Sequence, residues 1–83
     1  MTRPETWSRM VNFIRMPRYY VNRNEQPNGD HEVHKEGCDW MPEDENRKYL
    51  GNFDNCSDAV KEAKKTYSQS NGCYYCCNAC HTS

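Results

Sequence analysis

Two pairs of residues in this chain have the types and spacing of metal ligands: His34-x3-Cys38 and Cys73-x2-Cys76. A tetrahedral zinc site takes four thiolate or imidazole ligands, and ligands close in sequence let one loop deliver two while a second loop brings the others. The spacing therefore predicts a structural zinc site made by His34, Cys38, Cys73 and Cys76. The choice is not unique. Cys77 and Cys80 repeat the C-x2-C spacing, His81 follows directly, and His31 and Cys56 are further alternates, so which four of the Cys and His residues bind stays open.

Thiols have other uses. A C-x-x-C pair becomes a redox centre when a helix N-terminus lowers the pKa of one thiol, usually inside a βαβ unit. Cys73 instead follows the main helix expected here, and too little chain remains after Cys76 for another. A hydrolytic zinc enzyme would need an open coordination position and a general base. Glu32 and Glu36 are the nearest carboxylates, but no H-E-x-x-H spacing is present. No catalytic residue and no organic cofactor is assigned. Six cysteines also permit a disulfide framework. The N-terminus lacks the pattern of a secretory signal, so the expected location is the reducing cytoplasm, where such a framework is rare. Cys56 is expected as a buried thiol packing as a small hydrophobe.

Something must hold such a chain together. It has 83 residues, 35% of them hydrophobic, and a mean hydropathy of −1.23. Leu50 and Ile14 are the sole Leu and Ile, so Trp40, Tyr49, Phe53 and Tyr67 are expected to carry much of the burial. Domains this small bury only about 60% of their unfolded surface and usually need a metal, a disulfide or a partner. Formal charge is −1, from 11 basic and 12 acidic residues, so no overall field draws the chain to nucleic acid or an anionic membrane. No apolar stretch approaches the roughly 18 residues that would span a bilayer. The partner is expected to be a protein or a nucleic acid, no membrane is involved, and a monomer is favoured.

The elements that would position the ligands follow from pattern. Residues 1–17 read as an N-terminal extension or a short helix over Thr2 to Arg15, with Thr2 and Glu5 in capping-box spacing and Trp7, Met10, Val11 and Ile14 on one stripe. Residues 18–83 read as one Cys/His-rich domain. Arg18 to Asn22 has strand composition, Pro27 and Asn28-Gly29 mark a hairpin loop, and His31 to His34 returns. Alternation there puts His31 and Val33 on one face and Glu32 and His34 on the other. Lys48 to Phe53 reads as a third strand. A helix is predicted over about 57–67, with Asp54, Asn55 and Ser57 as candidate N-caps, an apolar stripe of Cys56, Ala59, Val60, Ala63 and Tyr67, and Lys61, Lys64 and Lys65 on a solvated face. The fold class is α+β: a small antiparallel sheet of about three strands, one main helix and a Cys-rich C-terminal knuckle.

From Tyr19 to Ser83 the stretches Tyr-Tyr-Val-Asn, Gly-Asp-His-Glu-Val-His, Tyr-Leu-Gly-x-Phe and Gly-Cys-Tyr-Tyr-Cys-Cys-x-x-Cys-His-Thr-Ser resemble a family of small uncharacterised bacterial proteins. That resemblance implies a bacterial cytosolic origin and no function. More remotely, the order of ligand pair, strand, helix and C-x2-C is similar to the zinc-binding N-terminal domain of the Ada DNA-repair protein. The resemblance implies ligands at His34, Cys38, Cys73 and Cys76. In that family the first ligand is a cysteine that accepts a methyl group from a DNA phosphotriester. His34 stands there, and an imidazole cannot replace thiolate chemistry. Methyl transfer is therefore not carried over, and neither is DNA binding, because Ada-type modules carry basic residues for backbone contact and this chain is slightly acidic.

Overall fold

The computed structural model describes residues 16–82. The short helix expected over Thr2 to Arg15 lies outside these residues.

Among the described residues, four strands form one mixed sheet in the order β3-β1-β2-β4 with one α-helix against it, so the class is α+β as expected. Strands β1 (Arg18–Asn22) and β2 (His31–Lys35) make the predicted antiparallel hairpin, with Val21 opposite Val33. Strand β3 (Arg47–Asn52) lies antiparallel on the outer side of β1 and carries a register shift where Tyr19 and Tyr20 meet Gly51 and Tyr49. The sheet departs from the expected three antiparallel strands at β4 (Ser70–Gly72), which pairs parallel to β2. Ser-Asn-Gly has no β-forming composition. Tertiary hydrogen bonds hold it instead: His31 N–H donates to Gln69 O at 2.8 Å and Cys73 N–H to Val33 O at 2.9 Å.

Helix α1 (Cys56–Ala63) is shorter than the predicted 57–67. Its start is set by Asn55, whose side-chain oxygen accepts from the Asp58 N–H, satisfying one of the four orphan donors of the first turn. After Ala63 the chain tightens into a turn, with Thr66 and Tyr67 N–H both donating to Ala63 O, so Tyr67 still reaches the helix stripe. Lys61, Lys64 and Lys65 are exposed, as expected of a solvated face.

The core is small. Tyr19, Val21, Val33, Ala59, Ala63 and Cys77 form its buried centre, with Leu50, Phe53, Cys56, Val60, Tyr67 and Cys76 packed partly buried around it. Trp40 and Tyr49, expected inside, are 60% and 49% exposed. Tyr49 packs on Tyr20 across the sheet, with rings 5.4 Å apart, and Trp40 sits in the loop after β2. Six buried side chains, two of them alanines, are too little to hold a sheet, a helix and a long tail by burial alone.

Candidate metal centre

His34 reaches the centre from β2, and the pleat decides its direction: Val33 faces the helix, so its neighbour faces the opposite way. A tight turn then brings Cys38 back, with its N–H donating to Lys35 O at 3.1 Å. Gly37 makes this turn at φ +87°, a conformation that favours glycine. Cys73 leaves the end of β4, and the next residues fold back so that Cys77 N–H donates to Cys73 O at 2.9 Å. Gly72 permits that close return: a Cβ at this position would lie 2.7 Å from Cys77 O and 2.9 Å from Cys80 Cβ. Asn71 pins the far end of the tail, donating to Asp30 Oδ2 at 3.2 Å and to Thr82 O while its own oxygen accepts from Thr82 N at 3.0 Å.

These elements gather His34, Cys38, Cys73 and Cys76, whose ligand atoms all lie within 4.8 Å of one another. His34 Nδ1 is 3.6 Å from Cys38 Sγ and 3.8 Å from Cys76 Sγ, and the sulfurs of Cys38 and Cys73 are 3.9 Å apart. A tetrahedral ion with bonds of about 2.3 Å to sulfur and about 2.0 Å to nitrogen holds its ligand atoms roughly 3.5–3.8 Å apart. The observed separations lie close to the edges of that tetrahedron, and the 3.9 Å between Cys38 and Cys73 is far too long for a sulfur–sulfur bond. Backbone N–H groups also aim at the sulfurs. Trp40 N–H donates to Cys38 Sγ at 3.4 Å, Lys35 N–H to Cys76 Sγ at 3.3 Å, and the N–H groups of Tyr75 and Cys76 point at Cys73. Such donors offset the charge of a thiolate.

Burial controls protonation here. It pushes the Cys73 and Cys76 thiols up and holds His34 down at about 4, so the imidazole is neutral at physiological pH. A neutral imidazole and thiols that lose their protons to a cation are the donor set a divalent metal takes.

Comparison with family models, curated proteins and solved structures returns no match to this chain.

The four residues of the two spaced pairs are the four that the fold brings together as a group that could hold a metal ion. The alternates have other roles. Cys77 is 3% exposed in the core, its sulfur 4.0 Å from that of Cys76. His31 Nδ1 lies 3.0 Å from Asn22 O, and its ring stacks on Tyr67 at 4.0 Å. His81 Nδ1 lies 2.9 Å from Gly72 O. Cys56 and Cys80, expected as a buried thiol and an alternate ligand, form a disulfide across 24 residues. The helix stripe does place Cys56 against the core, but the tail's return puts Cys80 beside it. The N-cap end of α1 is thereby tied to the 3-10 turn Asn78–Cys80.

Proposed function

We propose that this chain is a small zinc-stabilised interaction module without turnover, whose ion is held by His34, Cys38, Cys73 and Cys76. The observation that carries the reading is the mutual spacing of those four ligand atoms, all within 4.8 Å. One imidazole and three soft thiolates suit zinc, and four protein ligands complete a tetrahedron, leaving no position for an activated water. Glu32 and Glu36 then have no hydrolytic water to act on.

The binding surface in this reading is aromatic. Trp40 stacks on Tyr75 with ring centroids 5.2 Å apart and planes 21° apart, and Tyr74 meets Tyr75 edge-on at 5.2 Å. All three are more than half exposed. Trp40 lies two residues after Cys38, and Tyr75 lies between Cys73 and Cys76, so the stack has one half on each ligand loop. An ion joining the loops would hold the stack together. Exposed aromatics of this kind anchor protein interfaces. A formal charge of −1 lacks the basic field that nucleic acid requires, so the partner we propose is a protein.

A thiol-redox or metal-trafficking role is the alternative, favoured by the Cys56–Cys80 disulfide in the tail that also holds Cys77. That role needs an exposed thiol of lowered pKa. Burial instead pushes Cys73, Cys76 and Cys77 up.

The test is a zinc titration of the metal-free chain across pH, read by chelator competition. Because burial keeps Cys73 and Cys76 protonated at neutral pH, zinc must displace at least those two protons. Lowering the pH strengthens the competing protons, so apparent affinity should fall by about 100-fold or more per unit between about pH 8 and about pH 6. His34, held at about 4, adds no competing proton in that window. Affinity that does not change with pH would contradict thiolate ligation, and so would a chain that takes up no zinc.

A further inference from the structure

His34 is 1% exposed, and its two ring nitrogens face different surroundings. Nδ1 looks into the sulfur group, 3.6 Å from Cys38 and 3.8 Å from Cys76. Nε2 is buried and has no hydrogen-bond partner among the described residues. The carboxylate oxygen Oε1 of Glu32 is 3.5 Å from it. That proximity follows from the strand, since residues two apart share a face and Glu32 and His34 leave β2 on the same side.

A neutral imidazole carries one proton, and the nitrogen that carries it cannot bind a metal. With the proton on Nδ1, an N–H would face the sulfurs while the Nε2 lone pair lay buried beside a carboxylate, lone pair against lone pair. With the proton on Nε2, the Nδ1 lone pair faces the sulfur group and the N–H has the Glu32 carboxylate, 3.5 Å away, as its nearby acceptor. A metal-bound histidine commonly donates its other N–H to a carboxylate in this way, which fixes the ring and raises its basicity. Shortening 3.5 Å to the usual 2.7–3.0 Å of a charge-assisted bond needs only a small adjustment of the half-buried Glu32 side chain.

We propose that Glu32 is a positioning residue for the metal, accepting the Nε2–H of His34 and so committing His34 to bind through Nδ1. This rests on the zinc reading above. The test uses the full chain loaded with zinc and labelled with nitrogen-15 at histidine. Long-range proton–nitrogen spectra should show His34 metal-bound at Nδ1 and protonated at Nε2. In chelator competition, Glu32→Ala should bind zinc about 10–100-fold more weakly than wild type. Glu32→Gln, whose amide oxygen still accepts, should recover part of the loss. Ligation through Nε2 would overturn the proposal, and the spectrum of the wild-type chain decides that without any variant. Equal affinity of wild type and Glu32→Ala would also overturn it, with the zinc reading intact. Failure of wild type to take up zinc would instead overturn the reading beneath it.

Discussion

Replacing Cys73 with serine is expected to abolish cooperative folding. Cys73 is 1% exposed, its N–H is the last hydrogen bond joining β4 to β2, and its sulfur faces Cys38 across 35 residues of chain. A structural zinc ion contributes on the order of 10–16 kcal/mol to folding in small peptides at neutral pH. Whole domains are stable by only about 5–15 kcal/mol, and the core here is at the small end. Serine is a poor zinc ligand and would bury an unpaired hydroxyl among sulfurs. In zinc-containing buffer, wild type should melt cooperatively and Cys73→Ser should not, and adding a strong chelator to wild type should reproduce the variant's behaviour. A Cys73→Ser chain with the wild-type melting temperature would contradict the account.

Loss of the Cys56–Cys80 disulfide should have the next largest effect. The bond closes a loop across 24 residues, containing most of α1, the turn to Tyr67, β4 and the ligand-bearing tail. In the chain-entropy model, opening a loop of that length costs about 3.5 kcal/mol. A domain of this size shifts by about 4–8 °C per kcal/mol, so Cys56→Ser with Cys80→Ser should melt on the order of 15–25 °C below wild type, both measured with zinc present. The variant should keep its zinc, because neither residue belongs to the ligand group. Peptide mapping without reductant should recover Cys56 linked to Cys80. Six reactive thiols in the metal-free chain, with no shift on substitution, would contradict the pairing. In a reducing cytosol the two would stand as thiols, and the metal and the Asn71 hydrogen bonds would hold the tail.

How much of this was legible in the sequence depends on how local each determinant is. The β1–β2 hairpin is legible because Tyr-Tyr-Val, the Asn28-Gly29 turn and the returning Val33 each speak for their own few residues. Asn55 as N-cap is legible for the same reason. The candidate ligand group is legible because each pair is local, His34 and Cys38 at the end of β2 and its turn and Cys73 and Cys76 just after β4, so two short spacings suffice once the hairpin and helix are placed. Strand β4 is not, because Ser70–Gly72 extends only where Gln69, Asn71 and Cys73 find partners on distant segments. The disulfide is not, because the partner of Cys56 depends on where the tail lands after Gly72. The exposure of Trp40 is not, because its ring finds Tyr75 on the other ligand loop in place of the core. Of the aromatics expected to carry the burial, Phe53 and Tyr67 pack against the core and Trp40 and Tyr49 do not, because Tyr19, Val21, Val33, Ala59, Ala63 and Cys77 already fill its centre.

The central claim is that His34, Cys38, Cys73 and Cys76 hold one metal ion. Native mass spectrometry of the untagged chain, with elemental analysis and a thiol count before and after chelation, tests it most directly. The account predicts one zinc per chain, and Cys38, Cys73 and Cys76 protected from alkylation until a chelator is added. A folded, metal-free chain in which those three cysteines react as freely without chelator as with it would contradict it.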